Sequence, residues 1–154
     1  MQIWRICSRR YAKRAYDGRG ARRLGGRWNR RGDALVYASP TLSLASLELF
    51  VNLSPAKVPP NLVAVPAILP DDVRSERWEI ASLPPNWRDV PLPNILQHRG
   101  FEWIHSLRTA VLFVPSVVIP EEFNVLLNPG HSDYAKLEIG RPRKFQFDTR
   151  MWKQ

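Results

Sequence analysis

Residues 34–53 read ALVYASPTLSLASLELFVNL, and the architecture turns on this stretch. Ala34-Leu35-Val36-Tyr37-Ala38 is a short apolar run of the kind that forms a strand. Ser39 then suits a helix N-cap and Pro40 the first helical position, where a missing N–H costs nothing. Leu42, Ala45, Leu49 and Leu53 recur at helical spacing, and Leu44, Leu47 and Phe50 widen the stripe. The pattern predicts a helix from Pro40 to about Leu53, closed by Ser54-Pro55.

Working outward, Gln2 to Ile6 predicts a first strand. Residues 8–34 are rich in Arg and Gly and predict a loop or short helix outside the core. Asn61 to Leu69 predicts a strand in which Pro66 marks an edge or a bulge. Residues 70–93 are rich in proline, with Trp78 and Trp87 as anchors for short turns. Helix is expected over Asn94–Leu107, and strands over Thr109–Pro115 and Phe123–Leu127. A short helix over His131–Lys136 and strands at Leu137–Ile139 and Phe145–Phe147 complete the reading. Strands and helices mix without a regular βαβ alternation, so the expected fold is α+β, with residues 1–154 as a single compact domain.

Composition removes several classes. Fourteen prolines exclude a bundle of long helices. The single cysteine, Cys7, allows no internal disulfide, and no C-x-x-C pair offers a metal site. Residues 1–5 lack the apolar run of a signal peptide, and no stretch nears the ~18 apolar residues of a membrane span. A cytoplasmic protein with no membrane partner is expected. The charge is concentrated: residues 1–31 hold eleven Lys/Arg against Asp17 alone, whereas the remainder holds twelve against thirteen acids. The whole excess of +9 is therefore N-terminal and calls for an anionic partner: nucleic acid, a phosphorylated small molecule or an acidic protein.

Phosphate-loop, dinucleotide-fingerprint, H-E-x-x-H and G-x-S-x-G signatures are all absent. His98, His105 and His131 lack metal-ligand spacing, so no metal is expected. Glu48 stands out as the only acid between Asp33 and Asp71, on an otherwise apolar helix with Leu44 and Val51 as surface neighbours. It either reaches solvent at the edge of the stripe or points into a cleft. Arg27 lies in Gly25-Gly26-Arg27-Trp28-Asn29, where glycines permit close backbone approach and a guanidinium suits phosphate oxygens. A turn with a surface arginine explains that segment equally well. Tyr37 is a core-edge tyrosine or a stacking one. Ser116 follows a strong strand but has no His or Asp at a telling distance. Asn124 and Asn128 read as turn or capping residues.

In combination these segments resemble the RES domain, a family named for its Arg, Glu and Ser. The resemblance runs from Trp4-Arg5-Ile6 through Ala15-Tyr16-Asp17-Gly18, Gly25-Gly26-Arg27-Trp28-Asn29 and Val36-Tyr37-Ala38-Ser39 to Leu44-Ala45-Ser46-Leu47-Glu48. It continues with Phe101-Glu102-Trp103, Val114-Pro115-Ser116, Ile119-Pro120, Asn124-Val125-Leu126-Leu127-Asn128-Pro129, His131 and Phe147-Asp148-x-Arg150. It implies a fold similar to ADP-ribosyltransferases and a toxin that depletes NAD, its substrate, by hydrolysis or phosphorolysis at the nicotinamide–ribose bond. A protein ADP-ribosyltransferase toxin is the close variant. The resemblance also implies an Xre-like helix-turn-helix antitoxin covering the active site, with DNA reached only through that partner. Arg27, Tyr37 and Glu48 would be catalytic: Arg27 on the pyrophosphate or ribose, Tyr37 stacked on nicotinamide and Glu48 beside the ribose. Ser116, Asn29, Asn124 and Trp28 would bind substrate. A different class, a basic nucleic-acid-binding protein or ribonuclease, draws on the arginines interleaved with Trp4, Tyr11, Tyr16 and Trp28. Against it, no His/Glu pair stands at a suggestive spacing.

Overall fold

A computed structural model describes residues 1–54 and 58–152. Two four-stranded sheets form its frame. In the first, β1 (Gln2–Ser8) pairs antiparallel along its whole length with β3 (Leu62–Ile68). The far side of β3 is covered by two short strands, β7 (Glu138–Ile139) and β8 (Arg143–Lys144). The second sheet runs β2 (Val36–Ala38), β6 (Phe123–Leu127), β5 (Val111–Pro115), β4 (Ser75–Arg77), antiparallel except for the β4–β5 pair. A two-way backbone bridge between Trp4 and Ser39 joins the sheets.

Alternation along the strands divides the interior in two. Ile3, Val63, Val65 and Ala67 from the first sheet meet Val36, Ala38, Val111, Val125 and Leu127 from the second. Leu112, Val114 and Leu126 point the other way, into a second core with Trp28, Leu35, Trp87, Leu96 and Trp103. Helix α3 (Asn94–Ser106) closes that core through Leu96, Gly100, Trp103 and Ile104, which fall on one helical face. Gly100 is required there, because a Cβ would stand 1.7 Å from the Trp28 carbonyl oxygen.

Several expectations shift. The Arg/Gly-rich stretch is not outside the core: a 3₁₀ helix (Arg9–Arg14) and α1 (Arg19–Leu24) lie on the surface, yet Ala12, Ala15, Tyr16 and Trp28 are buried. Strand β3 is central, not an edge. Pro66 is tolerated because its carbonyl, which accepts from Gly140 N (2.8 Å), and its missing N–H both face the interval between β7 and β8. Helix α2 spans Leu42–Phe50, and its cap is Thr41, whose Oγ1 accepts from Leu44 N (3.1 Å). Ser39 instead joins the bridge to β1; Pro55 lies outside the described residues. The C-terminal strand is Arg143–Lys144, not Phe145–Phe147, because those aromatics turn inward to pack with Phe50 and Trp152. Residues 70–93 include the unanticipated β4, while Trp87 is buried and Trp78 packs against the second core. No helix among the described residues is long and apolar enough to cross a membrane.

Candidate active site

Strand β2 runs into the Ser39–Thr41 turn and then into α2, so Tyr37 and Glu48 come to the same side of the second sheet. Helix α2 packs on β1, which fixes the depth of Glu48. Ser116, one residue past β5, and Asn124, on β6, arrive from the sheet below. Both donate to the same oxygen, Glu48 Oε1: Ser116 Oγ at 2.7 Å and Asn124 Nδ2 in a shorter contact.

Each donor is itself locked. Ser116 is fully buried, and its Oγ accepts from Val118 N (3.1 Å) and Ile119 N (3.0 Å). With both lone pairs occupied, its one proton is directed at Glu48. Ser39 Oγ donates to Asn124 Oδ1 (2.7 Å), which turns the Asn124 amide so that Nδ2 faces the carboxylate. Oε1 is thus clamped, whereas Oε2 makes no hydrogen bond among the described residues. The half-buried carboxylate borders a cleft of about 170 Å³ shared with Trp4, Tyr37, Ser39 and Asn124.

The Tyr37 hydroxyl donates to Asn29 Oδ1 (2.8 Å) and accepts from Trp28 N (3.1 Å). Burial pushes this phenol well above its ordinary range, so it stays neutral. Gly26 permits the arrangement, since a Cβ would sit 2.5 Å from the hydroxyl. Asn29 is fully buried and its Nδ2 donates to the carbonyls of Ala21, Arg30 and Asp33. The Trp28 ring lies in the second core, edge-on to Trp78 at 5.6 Å. These two residues, expected to bind substrate, hold Tyr37 from behind and do not line this cleft. Asn124 is likewise not a turn residue: it sits inside β6 with its amide on Glu48.

Arg27 is close enough to feel the Glu48 charge, but its hydrogen bonds go elsewhere. Nη1 donates to Trp87 O (2.6 Å), and both terminal nitrogens donate to Asp89 O (3.3 Å). Desolvation holds its pKa below the ordinary arginine value, opposed by the field of Glu48. The guanidinium therefore pins the 87–89 segment.

Sequence reasoning missed Arg5. Its Nη1 donates to Tyr37 O (2.5 Å), while Nε is sealed from solvent without a hydrogen-bond partner. Burial lowers its pKa. The signal was present: position 5 shares a strand face with Ile3 and Cys7, so the charge had to point inward. Ser39 was missed because its backbone context suggested a cap. The histidines stand apart from this cleft, His105 on Asp33, His98 on Arg30 and Glu102, and His131 on Asp133 N.

Comparison with known proteins gives a consistent picture. The family model described as RES domain matches residues 2–148. A Sphingobium sp. protein named "Prs ADP-ribosylating toxin" is 40% identical, covering 97% of this chain and 95% of its own length. A Yersinia enterocolitica protein named "Toxin Res" is 34% identical over 98% of this chain and 99% of its own. In fold, the chain is similar to one in the crystal structure of the M. tuberculosis MbcT–MbcA toxin–antitoxin complex. The TM-score is 0.64 at 17% identity, covering 94% of this chain and 83% of the other.

Proposed function

The chain belongs to the RES domain family, and from that premise we propose that it is the toxin of a toxin–antitoxin pair, an enzyme that cleaves the nicotinamide–ribose bond of NAD. The observation that carries the proposal is the asymmetric Glu48 carboxylate, with Oε1 clamped by Ser116 and Asn124 and Oε2 open to a cleft bordered by Tyr37. The relatives named as toxins support the biological half of the reading.

The chemistry asks for placed charge. When the C1′–N bond breaks, its electron pair moves to the ring nitrogen, quenching the pyridinium charge and releasing neutral nicotinamide. The sugar passes through an oxocarbenium-like state. Glu48 Oε2 accepts from a ribose hydroxyl and sets negative charge beside the developing cation. Substrate that displaces water from the cleft strengthens that field. An acceptor oxygen then gives its electron pair to C1′ and loses a proton. Tyr37 supplies an aromatic edge for the nicotinamide, and Arg5, on its backbone, keeps that edge in place. Arg27, Ser116, Asn124, Asn29 and Trp28 act as the supports that fix these groups.

Water or phosphate as acceptor depletes NAD; a protein side chain as acceptor is the second reading, favoured by the name of the Sphingobium relative. In this proposal residues 1–154 act as one RES domain in the cytoplasm, need no metal, and are silenced by an Xre-like antitoxin over the cleft. Purified protein incubated with NAD, with and without inorganic phosphate, separates the outcomes: ADP-ribose, a phosphorylated sugar, or a mass shift on a protein. Glu48→Gln keeps the oxygen that Ser116 and Asn124 address but loses the charge. It is expected to stay folded and lose about 10²–10³-fold in rate. Turnover at the parental rate would sink the assignment.

A further inference from the structure

The cleft beside Glu48 is small. Sites that enclose a drug-sized ligand run to about 300–1,000 Å³, whereas this one measures about 170 Å³, room for one end of a dinucleotide. Arg5 borders it and also borders a second cleft, of about 440 Å³, along with Tyr11, Arg14, Asp17, Arg19 and Arg23. We propose that this second, basic cleft seats the adenosine diphosphate half of the substrate, with Arg5 at the junction between the two halves.

The inference rests on the NAD reading above and adds where the rest of the molecule goes. Four guanidinium groups border the second cleft against one carboxylate, Asp17, which is already engaged by Arg19 N (2.9 Å) and Nε (3.7 Å). Arg14 and Arg23 form no ion pair among the described residues, and both are exposed. Arg5 adds a sealed Nε–H that no described atom accepts. Sealed against solvent, that donor is closed to a ligand as well, so Arg5 serves the junction through its positive charge, which borders both clefts. A diphosphate offers only acceptors, in the geometry a guanidinium fork matches. Tyr11 presents a ring that is 42% exposed, with Arg10 and Arg14 against it at 4.7 and 6.0 Å from the centroid; such a face suits a purine. Arg27, expected on the pyrophosphate by family resemblance, has its Nη atoms on the 87–89 carbonyls.

ADP, which lacks the reacting bond, is the probe. The parent is expected to bind ADP, and adenosine far more weakly. The double variant Arg14→Ala/Arg23→Ala should weaken ADP binding at least tenfold, whereas Lys13→Ala, outside the cleft on the same surface helix, should not. In turnover, the preference for NAD over nicotinamide riboside in kcat/KM should fall at least tenfold in the double variant. Equal ADP affinity in parent and double variant, or no ADP binding by the parent, would overturn the proposal. The two readings fail separately. ADP bound through these arginines without NAD cleavage would leave the cleft assigned and remove the activity. NAD cleavage whose substrate preference ignores Arg14 and Arg23 would do the reverse.

Discussion

At the scale of single residues, Glu48 depends on a chain of donors whose orientation is over-determined. Replacing Asn124 by Asp removes the Nδ2–H donor and sets a second carboxylate against Oε1. Two carboxylates in contact repel, so the clamp on Oε1 should open. The expected result is a loss on the order of 10²-fold in kcat; an unchanged kcat would argue against the contact. Ser116→Ala fails differently, because it also strips the acceptor from Val118 N and Ile119 N. Each orphaned buried group costs about 1–3 kcal/mol, and about 1 kcal/mol moves Tm by roughly 2–4 °C in a chain of this size. A drop of about 4 °C or more in Tm, together with lost activity, is expected by calorimetry. Glu48 was legible as a lone acid on an apolar helix. Its partners were not, since Ser116 and Asn124 lie 68 and 76 residues away and meet it only through the β5–β6 pairing.

At the scale of elements, two glycines make a controlled pair. Gly100 lets α3 rest on the Trp28 backbone, and an added methyl would stand 1.7 Å from the Trp28 carbonyl oxygen. Gly100→Ala must push α3 off the segment that anchors Tyr37, so loss of soluble protein or a severe fall in Tm is expected. Gly20, inside α1 with nothing within 4 Å of a built Cβ, should accept Ala neutrally or gain up to about 1 kcal/mol from helix propensity. If both variants behaved alike by thermal melt, the close approach would carry no weight. Most elements could be read from apolar spacing: β1, α3, β5 and β6 are where the pattern put them. The N-terminus of α2 was misjudged by two residues because Ser39, a good cap in isolation, is pulled into a bridge with Trp4 that local sequence does not encode. Strand β4 was hidden for a similar reason: Ser75-Glu76-Arg77 has no strand pattern and is recruited by parallel pairing to β5.

At the scale of the whole molecule, three tyrosines tie stability to alkaline pH. Burial raises Tyr16, Tyr37 and Tyr134 above the ordinary value of 10.0, Tyr134 to about 12 and the other two further. An acid whose folded pKa is raised contributes fully below the unfolded pKa, and that contribution fades as pH climbs toward the folded value. Thermal stability should therefore hold to about pH 9–10 and fall steadily above it, with the absorbance of these three tyrosinates appearing only together with unfolding. Absorbance from all four tyrosinates in a chain that is still folded would contradict the burial of these three. The concentration of positive charge was plain from the sequence. That it gathers around one cleft was not, because Arg14, Arg19 and Arg23 come beside Arg5 only through the packing of two short helices. The interrupted pairing at Pro66 has a consequence of its own. A strand buried on both faces and open along one margin would invite strand addition from neighbouring copies. Two dipeptide clasps with a proline nitrogen between them leave no ladder along that margin long enough to template another chain.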